Sequence, residues 1–377
     1  MTFLSKEHIQ KNSAVAPILS QRGRAGMELL GSVQNYSSGQ LRSLAKQQFE
    51  AQMPTAPATS ATDGSAAQQA RRQLVRWREH AESLSSYRYE RFIQRFVAED
   101  VYLRGIPAVE EQRDTFERLA SNSLPKNPQG SLELDSSLSV PRYYDGVEWH
   151  LEPGGYDGYD LYGALFTYVA GPYIFKYGGY AAVSHGEDIT RHRVDVVRQL
   201  KKPSYARVYE PGCGGFSTLS AVHQVFPTAE LVGSDLSSLL LTNGHIHAER
   251  VGVSATFKQR DARATGEPDG AFDAVIMYAL LHEMPPEVGM DALREAFRIL
   301  QPGGELVISD PPPFRAVPAF NAVMLDWDTK HRGEPFFSAV GHVNWSECLQ
   351  DIGFVSVDEY ALGPDQYPWV TRGVKPR

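Results

Sequence analysis

The chain has 377 residues, 42% of them hydrophobic and 22% charged, with a formal net charge of -8. That length suggests two domains, and the composition suits a globular protein with a sizeable core. An acid excess without any Lys/Arg run argues against a nucleic-acid partner, and apolar stretches such as AFDAVIMYALL fall short of the roughly 18 residues a membrane helix needs. Two cysteines, Cys213 and Cys348, make no disulfide framework, and the first twenty residues show no apolar run with a cleavage site. A cytoplasmic protein with reduced thiols is expected.

The chain opens in a helical half. From about Arg24 to Met53, apolar residues recur at helical spacing, among them Met27, Leu30, Val33, Leu41 and Phe49. The run PTAPATSATDGSAA reads as a linker. A second helical block starts near Ala67, with Leu74, Trp77, Ala81, Leu84, Tyr87, Phe92, Phe96 and Val97 three or four residues apart. Arg71, Arg72, Arg76 and Arg78 alternate there with Glu79, Glu82 and Glu90, which reads as a solvated face rather than a phosphate site. From Ser121 to Asp160, Pro, Gly and Tyr dominate, as in a hinge. The aromatic run from Tyr162 to Tyr180 suits either a substrate pocket or an interdomain core.

After Ala206 strands and helices alternate. ARVYE, ELVGSD, SATFKQRD, FDAVIMY and ELVISD read as strands. Helices follow the first two, and MDALREAFRIL precedes the last. This alternation predicts a parallel sheet covered on both faces. The closing stretch FVSVDEYALGPDQYPWVTRGVK reads as two strands about a Gly-Pro-Asp turn. No crossover helix fits between them, so they should pair antiparallel.

The chemistry concentrates at predicted strand ends. In VYEPGCGGFS a strand ends at Glu210, Gly212 and Gly214 allow a tight turn, and a helix begins. It is not a dinucleotide fingerprint, because GCGGFS does not complete GxGxxG. Asp235 ends the next strand, about where a carboxylate takes ribose hydroxyls, and Asp261 follows the third. His282 and Glu283 follow the fourth. Asp326, Asp328, His331 and Glu334 lie in LDWDTKHRGEPFF, either as substrate contacts or as a charged loop. His185, Glu187 and His192 match no standard metal spacing, so no metal is expected. Cys213 reads as a small residue that fits its turn.

With EPGCGG, GSD, RDA, FDAVIMYALLHEMP and REAFRILQPGGELVISDPPP, the chain resembles the class I S-adenosylmethionine-dependent methyltransferases from about Val183 to Arg377. The resemblance implies a Rossmann-like, seven-stranded α/β domain over residues 141–377, behind a mostly helical domain at 1–140. It implies S-adenosylmethionine as cofactor. Glu210, Gly212 and Gly214 would hold its methionine end, Asp235 and Leu236 the ribose side, and Asp261 and Ala262 the adenine. Met277 would lie near the methyl sulfur. In the plant-type O-methyltransferases a His followed by an acid is the general base, which points to His282. Where the family often has a third glycine, this chain has Phe216. The expected activity is methylation of a small hydrophobic or aromatic molecule by a homodimer built through the N-terminal helices. A non-catalytic cofactor-binding protein and a nicotinamide oxidoreductase are the alternatives.

Overall fold

The computed structural model describes residues 18–53, 65–120, 127–178, 189–363 and 365–377. Most of the linker, Tyr180, His185, Glu187 and the proline of the Gly-Pro-Asp turn lie outside the described residues.

The helical half begins with α1 (Gln21–Tyr36), a π-helical turn (Ser37–Leu41) and α2 (Arg42–Ala51). Helix α3 (Ala66–Ser83) opens on a capping box between Ser65 and Gln68, which satisfies two otherwise orphaned backbone donors. Leu84 then turns extended and α4 (Ser85–Glu110) follows. Met27, Leu30, Val97 and Val101 bury against Leu165, Val169 and Ile174. Tyr168, Tyr173 and Phe175 pack onto the same cluster, so this part of the aromatic run serves as core of the helical half. Phe92 and Phe96, members of the periodic apolar set, are exposed, together with Tyr89 and Leu103 of the same helix.

The sheet contains the seven expected strands: β2 (Arg207–Pro211), β3 (Glu230–Asp235), β4 (Ala255–Gln259), β5 (Phe272–Tyr278), β6 (Leu300–Asp310), β7 (Val355–Ala361) and β8 (Trp369–Val374). An eighth, β1 (Ser131–Glu133), pairs parallel with β4 at the edge, giving the order β1-β4-β3-β2-β5-β6-β8-β7. Pairs through β6 are parallel, and β8 runs antiparallel to both β6 and β7. Strand β5 is buried on both faces: Ala274, Ile276 and Tyr278 pack into one core cluster, Val275 and Met277 into the other. That is why its sequence is a continuous apolar run rather than an alternation. Helices α5 (Ser217–Val225) and α6 (Ser238–Arg250) follow β2 and β3, and α7 (Pro286–Ile299) leads into β6.

The two halves are tied through α8 (Ala319–His331). Arg78 pairs with Asp326 at 3.1 Å, the Arg91 guanidinium lies over the Trp327 ring at 4.6 Å, and Arg95 donates to the His331 carbonyl. Arg78 and Asp326 are therefore an interdomain ion pair. Among the described residues, no helix is long and apolar enough to cross a membrane.

Candidate active site

The carboxyl ends of β2 to β6 meet in one crevice, where a parallel sheet leaves room for ligands. After β2 the chain turns at Gly212 (φ +66°) and Gly214 (φ +50°). A Cβ at Gly212 would strike Leu280, whereas one at Gly214 or Gly215 would meet nothing within 4 Å among the described residues. The turn is thus packed from behind and open in front. Phe216, in place of the family's third glycine, still adopts a left-handed conformation (φ +80°). Full burial beside Phe257 and His247 holds it there, against a cost on the order of 1–3 kcal/mol.

Asp235 accepts from the backbone N–H of Gly214 and of Ser237, both at 2.9 Å, so it braces the glycine turn from the next strand. Burial pushes its carboxyl up to about 6, against the pull of these donors. Glu210 is buried at the root of the turn. Burial pushes its carboxyl up to about 8, opposed by the Thr218 hydrogen bond and the Arg193 charge, and its Oε2 has no hydrogen-bond partner among the described residues. Leu236 is half-buried, and its carbonyl accepts from Gln259. Asp261 pairs with Arg263 at 2.6 Å beside half-buried Ala262. Met277 lies on β5. Its side chain is 1% exposed and packs with Tyr209, Val275, Leu281 and Ile308, because alternation along β5 sends it into a core face. Cys213 is buried and burial drives its thiol well up, so it is a packing residue.

Beyond β5, Ala279 (φ +53°) starts a short 3-10 turn, Leu281–Glu283. It buries His282, whose Nδ1 lies 2.8 Å from Asp310 Oδ1 at the end of β6. Glu283, the sequence neighbour, stands 3.6 Å from His282 Nε2, and Glu334 stands 4.0 Å away. The orienting acid is therefore Asp310. Burial alone would lower the His282 pKa, but Asp310, with help from Glu334 and Glu283, raises it to about 9.

A segment with no sequence signature closes over this turn. His150, on a 3-10 turn (Trp149–Leu151) with left-handed φ of +55°, places Nε2 3.3 Å from Glu283 Oε1 and 3.1 Å from Glu334 Oε1. Tyr156 donates to Glu283 at 2.9 Å. Gly333 (φ +68°) permits the approach, since a Cβ there would come within 2.3 Å of the Glu148 carbonyl. Burial raises the Glu334 carboxyl. For Glu283, burial is overcome by the hydrogen bond and charge of His150, the charge of His282 and the Tyr156 hydrogen bond, which together lower it. Trp149 stacks on Tyr156 beside Tyr144, and Asp157 accepts from the Ser237 hydroxyl at 2.7 Å. Aromatics of residues 144–156 thus lie between the His282 turn and the end of β3. Of the expected loop acids, Glu334 reaches the site, while Asp326 serves the interdomain pair. His192 packs against Tyr367.

Residues 208–304 match the family model described as a methyltransferase domain. The span runs from β2 into β6 and includes the glycine turn, Asp235, Asp261, His282 and Glu283. This part of the chain is similar to the class I S-adenosylmethionine-dependent methyltransferases. Over 132 residues it is 34% identical to a demethylmenaquinone methyltransferase of Thermus thermophilus, covering 35% of this chain and 58% of that protein. Over 100 residues it is 37% identical to a ubiquinone/menaquinone biosynthesis C-methyltransferase of Pseudomonas fluorescens, covering 26% of this chain and 38% of that one. The chain thus spans less than two thirds of either relative. A putative O-methyltransferase structure from Nostoc punctiforme overlays with a TM-score of 0.40 at 19% identity, covering 50% of this chain and 57% of that chain.

S-adenosylmethionine is the cofactor of this methyltransferase family, and the residues of the crevice fit it. The face of Gly214 and Gly215 is open to a ligand. The unpartnered Glu210 oxygen suits an ammonium group, since a buried acceptor left unmade is costly. Asp235, at the end of β3, suits a ribose diol.

Proposed function

We propose that this protein transfers the methyl group of S-adenosylmethionine to a small hydrophobic or aromatic acceptor. In this reading Glu210 and the Gly212–Gly214 turn hold the methionine end, Asp235 and Leu236 the ribose, and Asp261 and Ala262 flank the adenine. The observation that carries it is the adjacency of two constellations: an open glycine turn braced by Asp235, and a buried His282–Asp310 pair at the ends of the next two strands, β5 and β6. The aromatic cover of Tyr144, Trp149 and Tyr156 supports an apolar acceptor and a water-poor site. The sulfonium is already activated, so the protein's main task is to align acceptor and methyl and keep water out.

His282 is the residue proposed to touch the acceptor. Asp310 takes Nδ1, which leaves Nε2 facing the site beside two carboxylates. Surrounded by three acids, the imidazole favours carrying a proton on both nitrogens and so orients an acceptor oxygen by donating to it. The exposed stripe Tyr89, Phe92, Phe96 and Leu103 on α4 supports a homodimer through the helical half.

The test is incubation with methyl-labelled S-adenosylmethionine and a panel of phenols, quinols and hydroxy acids. Labelled product from the wild type is expected. His282→Ala should lower turnover by roughly 10- to 150-fold, the loss of one charged hydrogen bond. A drop beyond about 1,000-fold would reassign His282 as a general base. Failure to bind S-adenosylhomocysteine would overturn the methyl-transfer reading.

A further inference from the structure

The acids and imidazoles at the mouth of the crevice outnumber what hydrogen bonding can satisfy. Four carboxylates, Glu152, Glu283, Asp310 and Glu334, face two imidazoles, His150 and His282. Glu283 Oε1 and Glu334 Oε1 both converge on His150 Nε2, at 3.3 and 3.1 Å. One ring nitrogen carries at most one proton, so it cannot serve both well. Glu334 is 2% exposed and its second oxygen, Oε2, has no hydrogen-bond partner among the described residues. That oxygen points into the cluster, 4.0 Å from His282 Nε2.

We propose that His150, Glu283 and Glu334 form a binding site for a divalent transition-metal cation. One ligand atom from each of the three lies within 4.8 Å of the others. Ligands about 2.0–2.2 Å from one ion stand roughly 3 Å apart when adjacent and 4 Å when opposite, so the site closes on an ion with small rotations. One imidazole and two carboxylates suit Mn2+, Fe2+, Co2+ or Zn2+ rather than a purely oxygen-ligated Ca2+. The ring's far side is prepared for this. His150 Nδ1 faces Tyr156 Oη at 3.5 Å and Glu152 at 3.7 Å, and Glu152 is held by Tyr102 at 3.2 Å. A carboxylate behind a histidine fixes its tautomer so that the other nitrogen meets the metal. The ion's remaining positions face the His282 side, open to oxygen donors of an acceptor. That last extension rests on the methyl-transfer reading, whereas the metal site does not.

The test uses the full chain, stripped with EDTA and free of S-adenosylmethionine. Titration with Co2+, followed by visible absorbance, should show one ion per chain and raise the thermal midpoint. Glu283→Gln and Glu334→Gln should each weaken binding at least about tenfold, with circular dichroism reporting that the fold is kept. Should a variant not fold, pulsed EPR of the Mn2+-loaded wild type reads the coordinated imidazole nitrogen directly. The proposal is overturned if the wild type takes up neither Co2+ nor Mn2+ at millimolar concentration. It is equally overturned if the double variant binds like the wild type, or if the Mn2+ spectrum lacks nitrogen coupling. Methyl transfer that survives such a result would separate this failure from a failure of the methyltransferase reading.

Discussion

Cofactor binding should release protons, and Glu210 sets how many. Its carboxyl is pushed up to about 8 in the ligand-free chain, by burial first. At pH 7 a group of that pKa is about 90% protonated. An ammonium group brought to its unpartnered oxygen favours the ionised form and drops the pKa. Binding of S-adenosylhomocysteine at pH 7 should therefore release about 0.9 proton, falling to roughly 0.1 at pH 9, where Glu210 is already ionised. The assay is isothermal titration in buffers of different ionisation enthalpy, where the slope of observed heat against buffer heat counts protons. Glu210→Gln should bring the slope at pH 7 close to zero. A wild-type slope near zero at pH 7, or an unchanged slope in the variant, would refute the reasoning. The same shift has a stability consequence. Between the ordinary carboxylate range and about 8, the folded state holds a proton that the unfolded chain has lost. Ligand-free stability should thus fall as pH rises through that window, by up to roughly 5 kcal/mol. Glu210→Gln should flatten that dependence in thermal melts.

Other expectations are more direct. Asp235→Ala removes the acceptor of two backbone donors at the glycine turn, and should weaken S-adenosylhomocysteine binding by roughly 1–3 kcal/mol in titration calorimetry. Asp310→Asn leaves His282 buried without its carboxylate. Breaking such a pair costs roughly 3–5 kcal/mol, and an unchanged urea midpoint would count against it. Gly333→Ala forces a Cβ toward the Glu148 carbonyl at positive φ. It should cost about 1–3 kcal/mol and loosen the His150 turn, read as faster hydrogen exchange there. Phe92→Glu with Leu103→Glu should shift light scattering from dimer to monomer, and an unchanged mass would remove the α4 stripe as the interface.

The sequence by itself determined the sheet. Parallel strands buried on both faces must be short, apolar and separated by helices, and this local signal survives in FDAVIMY, ELVGSD and ELVISD. The antiparallel β7–β8 closure was legible from the missing crossover helix. The gathering of Glu210, Gly212, Gly214, Asp235 and Asp261 at successive strand ends was legible too, because there position along the chain fixes position in space. The exposure of Phe92 and Phe96 was not legible, because helical periodicity marks an apolar face without saying whether this chain covers it.

Only the tertiary structure decided what meets His282. Its acid is Asp310, on the neighbouring strand, because parallel pairing of β5 with β6 places their ends side by side, whereas the adjacent Glu283 diverges around the turn. His150 and Tyr156 lie in a stretch with no period and no motif, and they reach the site because Gly333 lets two backbones touch. Spacing along a chain reports contacts within a helix, a strand or a tight turn. A cluster assembled from residues 150, 283 and 334 has no spacing to read, since its geometry comes from the packing of separate segments.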